Sequence, residues 1–439
     1  MLTNLWGNKM KVMKVLTIWG MVLIGTSSIT ACGASKSVDS SDGKTTIRIS
    51  WWGGDDRHEA TLAAIKAFEK ENPDIKVKAE YSGWDGVEQK MATQITGQTE
   101  PDVMQVNYDW LTQYSPNGEG FTDLSKLEGL DLSGYEDSTL ESGKVNGIQN
   151  AVPFSENARV WCINKKAFDD RGIDIPTTWD GYIEAADKFE EGTFPARVDT
   201  YALLTYLQQK TGKTILAEDG TFQYDKVTLK EAFEWYKGLI DKKVIPTLQE
   251  TIEQTDANPG APSKKLLEGQ YGTLTTWSSQ VSGEYRNLEE AGQELILANF
   301  PIQTEGGEQV VINKPSMLFA ISKHSKNQEA AAKLLNFLLN ESEGVKAMSL
   351  ARGIPANQKA FEILEKDGKI TGINKEIYEY VKNTEGITFS KYTEMSKVMQ
   401  QYNDAFDEFS YGKITAEEAA QRTIDGMTKA VEQVKSTIK

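Results

Sequence analysis

Histidine and cysteine are almost missing from this chain, whose 439 residues hold only His58 and His324, Cys32 and Cys162. The two histidines lie far apart with no cysteine pair beside them, so a histidine or thiolate zinc site has too few ligands. An oxygen-ligated calcium needs only carboxylates, which are plentiful, but no EF-hand loop is written here. There is no Gly-x-Ser-x-Gly elbow, and the glycine-rich pieces lack the lysine of a phosphate loop. No metal or cofactor is therefore expected. Long apolar runs are missing too, since residues 15–24 are too short to span a bilayer and nothing later is apolar enough. A glycosidase is not excluded, because two carboxylates suffice for it.

The apolar run at 15–24 follows Lys9, Lys11 and Lys14, the order of a secretory signal peptide. It leads into Ile29-Thr30-Ala31-Cys32, which resembles the lipobox of bacterial lipoproteins. Cleavage before Cys32 would remove residues 1–31 and leave 408 residues that begin with a diacylglycerol-modified cysteine. Two acyl chains anchor a protein stably where one is marginal. Residues 32–44, rich in serine, then read as a lipidated tether. The expected location is the extracytoplasmic face of the cell membrane. With Cys32 so used, Cys162 has no partner for a disulfide. Loss of the three leader lysines takes the net charge from −16 to −19. That charge argues against nucleic acid as a partner, and against membrane contact by any route but the lipid.

Residues 45–52 alternate as a strand, 59–72 carry apolar residues at helical spacing until Pro73, and 74–81 alternate again. Strand, helix and strand make a βαβ unit and predict a mostly parallel, layered α/β sheet. Residues 86–96 read as a helix and 102–107 as a buried strand. The stretch GIQNAVPFSENARVWCIN, residues 147–164, reads as two short strands around a polar loop. Helices are expected at 179–191 and 228–241, strands at 271–276, 294–299 and 316–322, a long helix at 327–340, and helix over most of 375–439. Helices and strands alternate on both sides of a Pro- and Gly-marked middle, which suits two α/β lobes.

Aromatic residues carry the strongest functional hint. Of Trp51, Trp52, Trp84, Trp110, Trp161, Trp179, Trp235 and Trp277, several fall at expected strand ends or in adjoining loops, Trp277 between Thr275-Thr276 and Ser278-Ser279 reads as a site residue, and Trp179 and Trp235 sit inside helical patterns and read as core. Open α/β sheets place ligand crevices at strand ends. A sugar ring stacks its C–H face on indole and needs hydrogen-bonding groups around its edge, so such tryptophans among Asp, Asn and Arg suit a carbohydrate cleft. In SWWGGDDRHEATL, Gly53-Gly54 allows a sharp turn and Asp55 or Asp56 can cap the next helix, with Arg57 and His58 at its start. Arg57 either grips a ligand carboxylate in fork geometry or pairs with a neighbouring Asp or Glu.

Lipobox, tether, IRISWWGG, FEKENPDIKV, TGQTEPDVMQVNYDW, YGTLTTWSS and ARGIPA, in that order, resemble the extracellular solute-binding proteins of bacterial ABC sugar importers, family 1. WWGGDDRHEATL is similar to the branch that binds pectin-derived oligosaccharides, oligogalacturonides or rhamnogalacturonan fragments. The resemblance implies a periplasmic-binding-protein-like α/β fold of two lobes with a hinge and an inter-lobe ligand cleft. Its N-terminal lobe would take residues 45–150 and 303–343, its C-terminal lobe 151–302 and 344–439. It places ligand-binding residues at Trp51, Trp52, Arg57, His58, Asn107, Trp110, Glu156, Asn157, Arg159, Trp277 and Arg352. It implies as partners an oligosaccharide carrying uronate and the transmembrane subunits of a permease, with a monomer as the default and no catalysis. The competing expectation is a surface glycoside hydrolase or lyase acting on the same polymers.

Overall fold

The computed structural model describes residues 43–255, 263–303, 309–383 and 386–437, so the leader, Cys32 and most of the tether lie outside the described residues. Among the described residues the strands are β1 Thr45–Trp52, β2 Ile75–Ser82, β3 Val103–Val106, β4 Lys144–Val145, β5 Ile148–Gln149, β6 Ala151–Asn164, β7 Thr273–Trp277, β8 Leu295–Ala298, β9 Val311–Ile321 and β10 Gly386–Thr388. One sheet runs β2-β1-β3-β9-β6-β7, with β8 also on β6 and β10 on β9, while β4 and β5 pair apart. The first three strands are parallel, as the βαβ pattern predicts. The expectation of a mostly parallel sheet fails beyond them. β3–β9, β9–β6, β6–β7 and β6–β8 are antiparallel, because β6 and β9 run through the middle of the molecule in opposite directions.

β6 is a single strand, not two runs around a loop. Its first part pairs with β9 from Ala151↔Ala320 to Ala158↔Asn313. From Arg159 onward it lies between β7 and β8. Backbone partners along the whole length keep the polar Ser155-Glu156-Asn157 in the ladder. β9 likewise begins at Val311, ahead of the expected start at 316. The ladder skips the position between Pro153↔Leu318 and Ser155↔Ser316, where Met317 takes a left-handed φ of 54°. A methionine held there is a local break in an otherwise regular strand.

Apolar side chains cover both faces of the sheet on each side of this break. On the β1–β3 side, Ile47, Ile49 and Phe319 pack under helices Asp55–Glu71 and Gln328–Asn340. On the opposite face, Met104, Val106 and Leu318 meet helices Val87–Thr96 and Tyr108–Tyr114. Past the break, Trp161 and Ile163 join the core of helices Trp179–Ala186, Tyr201–Thr211, Lys226–Asp241 and Ser396–Ser410, and Trp179 lies in it with Trp235 packed against it. Val160 and Cys162 face helices Ser278–Glu290 and Ile373–Asn383. Two three-layer sandwiches therefore share β6 and β9. Helices Ser342–Met348 and Gln358–Lys366 pack on Gln328–Asn340, in the first sandwich. The sequence reading put residues from 344 onward in the second.

Candidate ligand-binding cleft

Alternation along the crossing strands decides which side chains meet. Ser155, Asn157 and Arg159 share one face of β6. Register adds Lys314 opposite Asn157, Ser316 opposite Ser155 and Trp277 opposite Arg159. Asn157 is fully engaged: its carbonyl accepts from the Ser278 hydroxyl and Ser279 N–H, and its amide donates to Ser279 and Ser316. Arg159 is different. Only 3% exposed, it forms an ion pair with Asp199 and lies 5.1 Å from the Tyr201 ring and 5.0 Å from the Trp277 ring, yet its Nε has no partner among the described residues. Lys314 Nζ sits 4.5 Å from the Trp277 ring and forms an ion pair with Glu394, whose Oε1 is likewise buried and unpartnered. Buried polar atoms without a hydrogen-bond partner are rare because leaving them desolvated is costly.

The ends of β1 and β3 carry a second group of aromatic and polar side chains. Trp52, Trp84 and Trp110 form a cluster, with Trp52 5.4 Å from Trp84 and 5.2 Å from Trp110, and Trp84 stacked on Trp110 at 6.2 Å. Trp52 and Trp110 are buried, while Trp84 is 52% exposed. Asn107 begins the helix Tyr108–Tyr114 and its amide donates to Asp109 Oδ1 at 2.6 Å. Burial pushes the Asp109 carboxyl up to about 8, helped by Glu394 and Glu88 and opposed by Lys314. Burial also raises the Tyr108 hydroxyl, with Glu218 and Glu394 adding to it. Side chains from both sandwiches are thus within electrostatic reach of one another.

Asp109 makes a pH prediction. Its folded pKa lies above the ordinary carboxylate value, so its stabilising contribution is complete below pH about 4 and is lost as pH rises towards about 8. Asp109→Asn cannot ionise and keeps the acceptor that Asn107 uses. Denaturant unfolding should find the variant equal to the parent near pH 4 and more stable by about 2 kcal/mol or more near pH 9. Parallel pH curves for the two proteins would refute this.

Several expected residues lie elsewhere. Trp51 is buried on the other face of β1, where its indole N–H donates to His58 Nδ1 at 3.1 Å and its ring stacks on Tyr81 at 4.9 Å. Asp55 and Asp56 sit within the first turn and do not cap the helix, which begins after Gly54. Arg57 folds back to donate to the carbonyls of Trp52 and Ala351, each at 3.1 Å. A Cβ on Gly53 would come within 2.6 Å of Arg57 Cδ, which accounts for that glycine. Arg352 is entirely buried, donating to Gln105 Oε1 at 2.9 Å and Thr61 Oγ1 at 2.8 Å. Burial lowers its pKa well below the usual arginine value, with Arg57 contributing. Glu156 points away from Asn157, to the opposite face of β6. Lys314, Glu394, Asp109, Asp199 and Tyr201 complete the group and were not singled out for it by sequence, whereas Trp84 was named there only among the tryptophans.

Contacts also bridge the two sandwiches. Ser396 donates to Glu88 at 2.8 Å and Arg286 lies 3.4 Å from Asp56. Charged and aromatic groups from two α/β bodies, gathered where crossing strands join them, define a hinged binding protein. The profile of bacterial extracellular solute-binding proteins matches residues 54–345, and the chain belongs to that family. A periplasmic oligogalacturonide-binding protein from Yersinia enterocolitica, solved with saturated digalacturonic acid, is 30% identical with a TM-score of 0.82, over 89% of this chain and 100% of that one. Periplasmic solute-binding protein ECA2210 from Pectobacterium atrosepticum is 34% identical with a TM-score of 0.81, over 89% and 99%. The diacetylchitobiose-binding protein DasA of Streptomyces coelicolor is 26% identical, over 81% of this chain and 83% of its own. No helix among the described residues is long and apolar enough to cross a membrane.

Proposed function

We propose that the protein captures an acidic, pectin-derived oligosaccharide in this cleft and passes it, chemically unchanged, to the permease of an ABC importer. The observation that carries the reading is Arg159, a buried guanidinium between two aromatic rings with one donor unspent. A uronate carboxylate offers two oxygens in the geometry a guanidinium fork binds. Lys314 supplies a second cation, and Trp84 a face for a sugar ring. The chain is acidic overall, but screening acts within about 8 Å at physiological salt, so the groups lining the cleft outweigh the total. The likeness to the digalacturonate-binding protein from Yersinia supports the same ligand class. The lobes would be residues 45–150 with 303–366 and 151–302 with 367–439, since the helices at 342–366 pack with the first. A lipid on Cys32 would hold a monomer at the extracytoplasmic face.

Calorimetry with digalacturonate, a rhamnogalacturonan disaccharide and maltose tests this. Heat from the acidic sugars alone is expected, and binding of maltose alone would remove the uronate reading. Trp84→Ala should weaken the acidic sugar about tenfold through lost stacking, with the unfolding temperature of the free protein unchanged. An unaltered affinity would exclude Trp84 from the cleft.

A second reading, a glycoside hydrolase or lyase, has one observation in its favour. Asp109 is a carboxyl kept protonated at neutral pH close to further carboxylates, an arrangement that glycosidases use. Incubation with oligogalacturonide should yield no new reducing ends or unsaturated products. Turnover abolished by Asp109→Asn would establish the enzyme instead.

A further inference from the structure

Glu156 is the exception on β6: the other thirteen residues of the strand are buried and it alone is exposed. It opens into a cavity of about 330 Å³ on the face opposite Arg159. One wall is the first sandwich, residues 134–139 and 350–358; the other is helices Ser278–Glu290 and Ile373–Asn383 of the second. Thr139 donates to Glu156 Oε1 at 3.0 Å and Ser282 donates to Asn374 Oδ1 at 2.6 Å. Tyr378 of the second wall stacks at 4.1 Å on Phe361 of helix Gln358–Lys366, which packs in the first sandwich outside the cavity lining. None of Arg159, Lys314, Trp84 and Trp277 lines this space.

We propose that the cavity is a second binding site, for a neutral polyhydroxylated molecule of monosaccharide size, and that its occupant favours the bridged conformation of the lobes. The volume is at the lower end for small-molecule sites. Its polar lining is mostly neutral hydroxyls and amides. Glu136 and Lys382 offset each other, which leaves the Glu156 carboxylate to repel an anion and accept hydroxyls. The Tyr378 ring, with Ile354 and Val381, supplies the apolar surface that a sugar's C–H face needs. Because the walls belong to different sandwiches and the floor is a crossing strand, hinge motion changes the cavity. A molecule that fits it while Glu88 and Ser396 are joined stabilises that state, so the two ligands tighten each other reciprocally.

Saturation-transfer NMR with D-galactose and the protein tests the site. A saturable contact is expected that survives filling of the cleft with digalacturonate and disappears in Val381→Trp, whose indole occupies the cavity. Glu156→Gln, a change at an exposed position, should weaken the contact about fivefold. Galactose should in turn tighten digalacturonate severalfold by calorimetry. No saturable contact, displacement by digalacturonate, or a signal unchanged in both variants would overturn the proposal. Binding of putrescine in place of galactose would overturn the neutral class. If digalacturonate proves not to be the cleft ligand, the two variants still decide, so the readings fail separately.

Discussion

Arg159→Met is expected to weaken digalacturonate binding by about 100-fold, while the free protein unfolds at nearly the parental temperature. Truncating one partner of a desolvated, hydrogen-bonded charge pair costs about 2–5 kcal/mol, because the other charge is left buried without compensation. Here that other charge would be the ligand carboxylate. The fold itself loses little. Asp199, the present partner, is 41% exposed and can return to water, and a methionine side chain can occupy the space between Tyr201 and Trp277. Arg159→Lys keeps the charge and loses the fork, so it should fall between the two, weakened about tenfold. Calorimetry and thermal unfolding of the three proteins check this. Equal affinities would show that the guanidinium serves only to pin Asp199.

Arg352→Ala is expected to do the reverse, lowering unfolding stability by about 3–5 kcal/mol with less than about threefold change in affinity. Its side chain reaches through the first sandwich, under the Phe154 and Phe319 rings, at 5.9 Å and 5.5 Å, to Gln105 and Thr61. Removal leaves those two buried polar groups without their donor and opens a cavity that close-packed neighbours fill only in part. Denaturant titration gives the stability, and calorimetry below the transition gives the affinity. Together the two arginines separate a binding role from a structural one in a pair that sequence placed in one cleft. A variant of normal stability with lost affinity would return Arg352 to the ligand.

The first sandwich was legible because its strands and helices carry clean periodicity. Residues 45–52, 86–96 and 327–340 announce their faces by spacing alone, and the structure puts elements there within a residue or so. β6 hid itself because Ser155-Glu156-Asn157 is polar, and a polar triplet between apolar runs reads as a loop. That single misreading concealed alternation, and with it the fact that Asn157 and Arg159 share a face from which Glu156 is excluded. Arg159, Asn107 and Trp277 could be marked because they follow strand ends or a recognisable motif. Lys314 and Glu394 could not. Lys314 enters by register with Asn157, and Glu394 arrives from near the C-terminus through packing of helix Ser396–Ser410. Neither leaves a local signal. Arg57 and Arg352 misled in the opposite sense, since an arginine beside a glycine turn looks free until the carbonyls and hydroxyls it satisfies are seen.

A crystal structure of the protein grown with saturated digalacturonate decides whether these residues hold the ligand. An intact disaccharide is expected between the lobes, with a carboxylate within hydrogen-bonding distance of Arg159 Nε, Lys314 released from Glu394 to a ligand oxygen, and a sugar ring on Trp84. A cleaved sugar, or one seated elsewhere with Arg159 and Lys314 still bound to Asp199 and Glu394 alone, would contradict it.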